Sequence, residues 1–185
     1  MNTTVAPLQN TTYRERPFVI SRVLDAPREL VWKTWTESEH MQWLGPNGVI
    51  IRHAKLDLRP GGTFHYAMRT ADGQDMWGRW VIREIAKQER LVFVNSFSNE
   101  AGGMTRHPMS PHWPLEMFST IAFVEQDGQT MLTILWLPLN ATELERKTFD
   151  EGHESMKNAW GGSLDRLEEY LAKANEKLAT HRHRI

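Results

Sequence analysis

The chain has no cysteine. That excludes a disulfide framework and thiolate chemistry, and it fits a reducing cytoplasm. It also lacks the roughly 20 consecutive apolar residues of a membrane span. Its first sixteen residues, MNTTVAPLQNTTYRER, have no apolar run of the kind a secretory signal carries. Charge is nearly balanced, with 22 Lys and Arg against 23 Asp and Glu for a net of −1. The basic residues are dispersed among acids, so no nucleic acid is expected as a partner. Absent too are a phosphate-binding glycine loop, a nucleophile elbow, a dinucleotide fingerprint and a helix-spaced histidine pair joined to carboxylates. No metal and no cofactor is expected. His107 and His112, and His181 and His183 in the tail, lack that context.

What remains is 185 residues, enough for one domain with a sizeable core, unusually rich in eight Trp and nine Met. Such side chains fill cores, and they also line irregular apolar cavities. Residues 1–16 read as an arm, 17–179 as one domain and 180–185 as a basic tail. Phe18 to Leu24 reads as a strand, stopped by Ala26-Pro27, where a short helix starts with Glu29 in its first turn. Thr36-Glu37-Ser38-Glu39 has a capping-box pattern that predicts a second short helix, ending at Gly45-Pro46. Further strands are expected over 49–58, 63–69, 76–85, 91–97, 115–125 and 130–137. Asp127-Gly128 is a hairpin signal, and the short links favour an antiparallel meander. From Thr142 to Ala179 the spacing predicts helix, opened by a capping box at Thr142 and Glu145.

Two glycine pairs stand out. Pro60-Gly61 has the chemistry of a type II turn, with Gly62 starting the next strand, which predicts a strongly bent hairpin. Gly161-Gly162 lies inside the long helical pattern, where each glycine costs about 0.8–1 kcal/mol relative to alanine. A close approach or a kink there is the expected return.

In order along the chain, DAPRELVWKTWTESEHMQWLGP (25–46), DLRPGG (57–62), DGQDMWGRWVIREI (72–85), ERLVFV (89–94) and ESMKNAWGGSLDRLEEYL (154–171) form a recognisable set. Together they resemble bacterial homologues of the carboxy-terminal domain of the activator of the ninety-kilodalton heat-shock chaperone's ATPase. These belong to the START-like, or SRPBCC, superfamily. The resemblance implies an α+β helix-grip fold. A curved antiparallel sheet of six to seven strands wraps around a long carboxy-terminal helix, with two short helices after the first strand. It also implies a largely apolar pocket between sheet and helix, whose occupants across the superfamily are hydrophobic small molecules. The eukaryotic activator has an additional amino-terminal domain. Residues 1–16 stand in its place here, which puts chaperone contact behind small-molecule binding.

Strand alternation then nominates the pocket residues. Phe64, Tyr66 and Met68 are assigned inward on one strand, Met76, Gly78, Trp80 and Ile82 on the next. Leu91, Phe93, Asn95 and Phe97 follow, then Met117, Ser119, Ile121 and Phe123, and last Leu132, Ile134 and Trp136. His153, Met156 and Trp160 face the sheet from the long helix, and Trp43 closes one end. The expected ligand contacts are Trp43, Phe64, Tyr66, Met68, Trp80, Phe97, Met117, Trp136, His153, Met156 and Trp160. Met104, Met109 and Trp113 read as apolar tips of a lid in the irregular stretch 99–114. A binder of a small hydrophobic or aromatic molecule is the leading expectation. An acid–base enzyme using His153 in the same pocket is the second, and a chaperone-interacting protein the third. A homodimer through a sheet edge or the arm is left open.

Overall fold

The computed structural model describes residues 16–182, with side-chain surroundings through Glu176. The arm lies outside this range except for Arg16, and so do the side chains of the basic tail. Strand β1 (Phe18–Leu24) leads into helix α1 (Arg28–Thr36) and a single 3-10 turn (Ser38–His40). Next come β2 (Ile50–Leu56), β3 (Thr63–Arg69), β4 (Asp75–Ala86), β5 (Arg90–Ser98) and the two-residue β6 (Met104–Thr105). Strands β7 (Glu116–Gln126) and β8 (Gln129–Leu139) precede helices α2 (Glu143–Glu151) and α3 (His153–Arg182). The sheet order is β1-β8-β7-β5-β4-β3-β2, every pairing is antiparallel, and β6 adds to β5 off this path. No helix among the described residues is long and apolar enough to cross a membrane.

Turn chemistry sets the register. Asp127 and Gly128 both have positive φ, as a two-residue hairpin between β7 and β8 requires. Between β2 and β3, the Gly62 N–H donates to the Arg59 carbonyl at 2.8 Å across Pro60-Gly61, and Gly61 has φ +80. These are the marks of a type II turn. The turn is tied sideways to β4, with Gly61 N–H on the Ile82 carbonyl at 2.8 Å and Ile82 N–H on the Gly62 carbonyl at 2.9 Å.

The inward face is organised in cross-strand rows. Tyr66 pairs with Gly78 and Gly78 with Phe97. Phe64, Trp80, Asn95 and Met117 form the next row, and Ile82, Phe93, Ser119, Trp136 and Phe18 the one after. Leu164, Leu167 and Leu171 of α3 are almost wholly buried and fill the concavity opposite the carboxy-terminal half of that helix. The other half of α3 presents Ser155, Ala159 and Ser163 beside Met156 and Trp160. These residues are too small to fill the same depth of sheet.

Three local expectations are corrected. The second short helix is only the 3-10 turn, because the Thr36 hydroxyl donates back to the Trp32 carbonyl at 2.8 Å instead of capping. Gly45 and Gly48 then take positive φ and end any helical path. This segment is held from outside: the Arg166 guanidinium donates to the carbonyls of Gln42, Gly45 and Pro46 at 2.8–3.0 Å. The carboxy-terminal helix is two helices, broken at Gly152. A Cβ there would lie 2.8 Å from the Trp113 ring, so close approach belongs to this glycine. At Gly161-Gly162 the helix runs on unbroken. Pro46 is the nearest neighbour to a Cβ at Gly162, at 3.9 Å, and nothing in the structure explains Gly161.

Candidate functional site

Between the inward sheet face and the small-residue half of α3 lies a cavity of about 630 Å³. Such a volume falls within the ~300–1,000 Å³ of typical small-molecule sites. Its floor comes from β3, β4 and β5, with Tyr66, Met68, Trp80 and Phe97 among the lining residues. Met117 and Trp136 line it from β7 and β8, and Met156 and Trp160 from α3. Each of these was nominated from the sequence.

Trp43, Phe64 and His153 do not line the cavity. Trp43 is buried behind it, donating from its indole N–H to the Thr34 carbonyl at 3.0 Å and packed on Trp35. Phe64 is wholly buried beneath Tyr66 and Trp80, with ring centroids at 4.9 and 4.7 Å. His153 begins α3 and is held edge-on between Phe18 and Phe149. Its Nε2 lies 3.8 Å from Asp150. Burial depresses its pKa, the Asp150 charge opposes this, and Arg16 adds to the depression. Among the described residues Nε2 has no hydrogen-bond partner. The geometry makes His153 a packing residue and not a base in the cavity.

Other lining residues went unrecognised. Leu44, Gly45 and Pro46 close one side, held there by Arg166. Ser155, Ala159 and Ser163 recur every four residues on α3, a spacing visible in the sequence as a small-residue stripe beside the Met156–Trp160 stripe. His107 lines the cavity from the 99–114 connection, packed edge-on against Phe97 at 4.6 Å. Its Nδ1 accepts from the Met109 N–H at 3.0 Å, and burial depresses its pKa, so the ring is neutral with its proton on Nε2. Of the three residues read from the sequence as lid tips, Trp113 lines the cavity, whereas Met104 and Met109 are 40% and 83% exposed and do not.

The connection is pinned to α2. The Arg106 guanidinium pairs with Glu145, which also closes the predicted capping box with Thr142. The Arg106 hydrogen bond is the main cause of a depressed Glu145 pKa, followed by the Thr142 backbone N–H. A carboxylate with a lowered folded-state pKa contributes stability that is complete above its unfolded value. That stability is lost as pH falls through the folded value. Glu145→Gln is therefore expected to cost about 1 kcal/mol at pH 7. The gap to the native protein should close as pH falls below about 4.3, the unfolded glutamate value. Urea midpoints at pH 7, 4 and 3 check this; a constant gap would contradict it.

Outside the cavity, Glu37, Glu39 and His40 bring ligand atoms within 4.8 Å of one another. Nδ1 of His40 is already engaged by the Tyr170 hydroxyl at 2.5 Å.

A curved antiparallel sheet gripping its carboxy-terminal helix, with a cavity between them, defines a START-like protein of the SRPBCC type. The family described as "Activator of Hsp90 ATPase homolog 1-like protein" matches residues 25–172, and the chain belongs to it. No curated protein matches. Among solved structures, a protein of Nitrosomonas europaea is 25% identical with a TM-score of 0.69, over 86% of this chain and 96% of that one. A protein of Mycobacterium smegmatis is 22% identical with a TM-score of 0.66, over 84% and 90%. An AHSA1 protein of Silicibacter pomeroyi is 17% identical with a TM-score of 0.65, over 86% and 99%. The last two show likeness of fold alone.

Proposed function

We propose that this protein binds a small hydrophobic or aromatic molecule in the cavity between sheet and α3. The observation that carries the reading is the lining itself. Five tryptophans (77, 80, 113, 136 and 160) and four methionines (68, 76, 117 and 156) surround a volume that the chain leaves open. Filling it would contribute roughly 25 cal/mol per Å² of apolar surface removed from water. The acid–base alternative loses its motivating residue, since His153 lies outside the cavity. A chaperone contact has the family description in its favour, but no feature among the described residues points to one. A cytoplasmic location, consistent with the lack of cysteine, and pairing of two copies through a sheet edge or the arm belong to the same proposal. Fractionation and sedimentation test these two points.

Native mass spectrometry of protein purified from its own host tests the main reading through a retained small molecule. A blocking variant gives the second arm. Ala159 lines the cavity yet is exposed to solvent, so Ala159→Trp obstructs the space at little cost in stability. Retention of the molecule should fall at least about 10-fold, with the melting temperature nearly unchanged. Retention equal to that of the native protein would remove the cavity as the binding place.

A further inference from the structure

The cavity floor is largely apolar; its polar residues are Tyr66, Asn95 and Ser96, and the first two are arranged in a specific way. Tyr66 lies opposite Gly78 of β4. A Cβ on Gly78 would stand 2.5 Å from both the Cζ and the hydroxyl oxygen of Tyr66. The phenol therefore lies across β4 in a notch that only glycine leaves open. Gly78 pairs with Phe97, and Trp80 with Asn95, so Asn95 is the diagonal inward neighbour of the notch on β5. Diagonal neighbours are about 7–8 Å apart at Cα. A phenol hydroxyl and a carboxamide can thus approach a common point between them.

Both groups have donors to spare. Asn95 is 7% exposed and lines the cavity, and its Oδ1 accepts from the Ser119 hydroxyl at 2.5 Å. Its carboxamide nitrogen has no acceptor among the described residues. Among the described residues the Tyr66 hydroxyl has no acceptor, and the neighbouring Trp80 indole N–H can only donate, so the phenol has its own proton to give. Burial pushes the Tyr66 pKa up to about 12, against the smaller opposing effect of Trp80, so the hydroxyl stays protonated under physiological conditions.

Charge at the site narrows the class further. No lysine or arginine lines the cavity among the described residues; its titratable lining groups besides Tyr66 are His107 and Glu151. A ligand carboxylate on this floor would be buried without a counter-charge, which is costly. A pure hydrocarbon would leave the Asn95 N–H groups dry and unpaired, which is unfavourable.

We infer that the site takes an apolar molecule bearing one neutral hydrogen-bond acceptor, a ketone, ester or amide carbonyl, received jointly by the Tyr66 hydroxyl and the Asn95 carboxamide. This rests on the reading of the cavity as a ligand site. Gly78 is a positioning residue that acts through Tyr66.

Three probes of one shape separate the two ideas: benzophenone, diphenylmethane and diphenylacetate, titrated by calorimetry. Benzophenone should bind about 10-fold tighter than diphenylmethane, and tighter than the carboxylate. Tyr66→Phe, which removes one oxygen atom, should weaken benzophenone about 3- to 10-fold and leave diphenylmethane within 2-fold of its native affinity. Asn95→Leu should do the same; should it fail to fold, Tyr66→Phe decides. Equal affinity for ketone and hydrocarbon, or a Tyr66→Phe effect common to both, overturns the inference and leaves the receptor reading standing. Tightest binding of diphenylacetate also overturns the inference alone. Failure of all three probes to bind overturns both.

Discussion

Gly62→Ala lowers the unfolding free energy by about 3 kcal/mol or more, while Gly61→Ala, one residue earlier, costs about 1–2 kcal/mol. The two glycines are needed for different reasons. Gly61 has φ +80 and open space around a Cβ, so alanine there suffers only the left-handed backbone penalty. At Gly62 a Cβ would lie 2.1 Å from the Asp57 carbonyl oxygen and 2.9 Å from that of Arg59. Both are backbone atoms, held in place by the Asp57 N–H to Thr63 carbonyl bond at 2.8 Å and the Gly61–Ile82 ties. No side chain can swing away, so the hairpin itself must open. Overpacking and lost hydrogen bonds then add together. For a chain of this size the fall in melting temperature is roughly 6–12 °C. Equal penalties at the two positions, measured by urea unfolding, would show that the close approach is not what Gly62 is for.

The effect reaches the cavity through register. Thr63 follows Gly62 directly, and Phe64, Tyr66 and Met68 face inward only in the observed pairing with β2 and β4. A slip of one residue would turn all three to the outer face and bring His65 in. A hairpin outside the cavity lining thus controls which side chains form that lining.

That dependence also explains what could be read before the fold was known. Strand alternation is a strict two-residue period, so one aromatic run identifies a whole face. The inward sets on β3, β4, β5, β7 and β8 follow from it directly. Asp127-Gly128 and Pro60-Gly61 were legible because each demands positive φ at a defined place. Trp43, Phe64 and His153 were misplaced relative to the cavity because periodicity gives the face and not the depth. Facing inward does not distinguish a wall from what lies behind it. The second helix was misread because the Thr36 hydroxyl can either cap forward or donate back to the Trp32 carbonyl, and the sequence does not say which. The close approach at Gly152 depends on Trp113, a distant partner that no local pattern announces. From the sequence His107 is weighed only as a metal ligand and not as a cavity residue, because an irregular stretch has no period. Its place against Phe97 comes from β6 pairing with β5.

Trp35→Ala is expected to cost about 3–5 kcal/mol, a large part of the ~5–15 kcal/mol that holds a typical domain together. Trp35 comes from α1, is wholly buried, and links helix, sheet and α3. Its ring stacks on Trp80 and Trp160, both at 6.1 Å, and meets Phe123 edge-on and Trp43 at a tilt. Removing it leaves a void enclosed by other rings, which cannot collapse without moving Trp80 or Trp160. Those two are cavity walls, so the variant should also lose ligand affinity without having lost a contact residue. Trp35→Phe separates packing from polarity. The Trp35 indole N–H is buried without a partner among the described residues, so phenylalanine removes an unpaired donor while keeping much of the ring. It should cost less than half as much as alanine in chemical denaturation. If phenylalanine proves as damaging as alanine, the indole N–H has an unrecognised role, and the stacked core is not what Trp35 supplies.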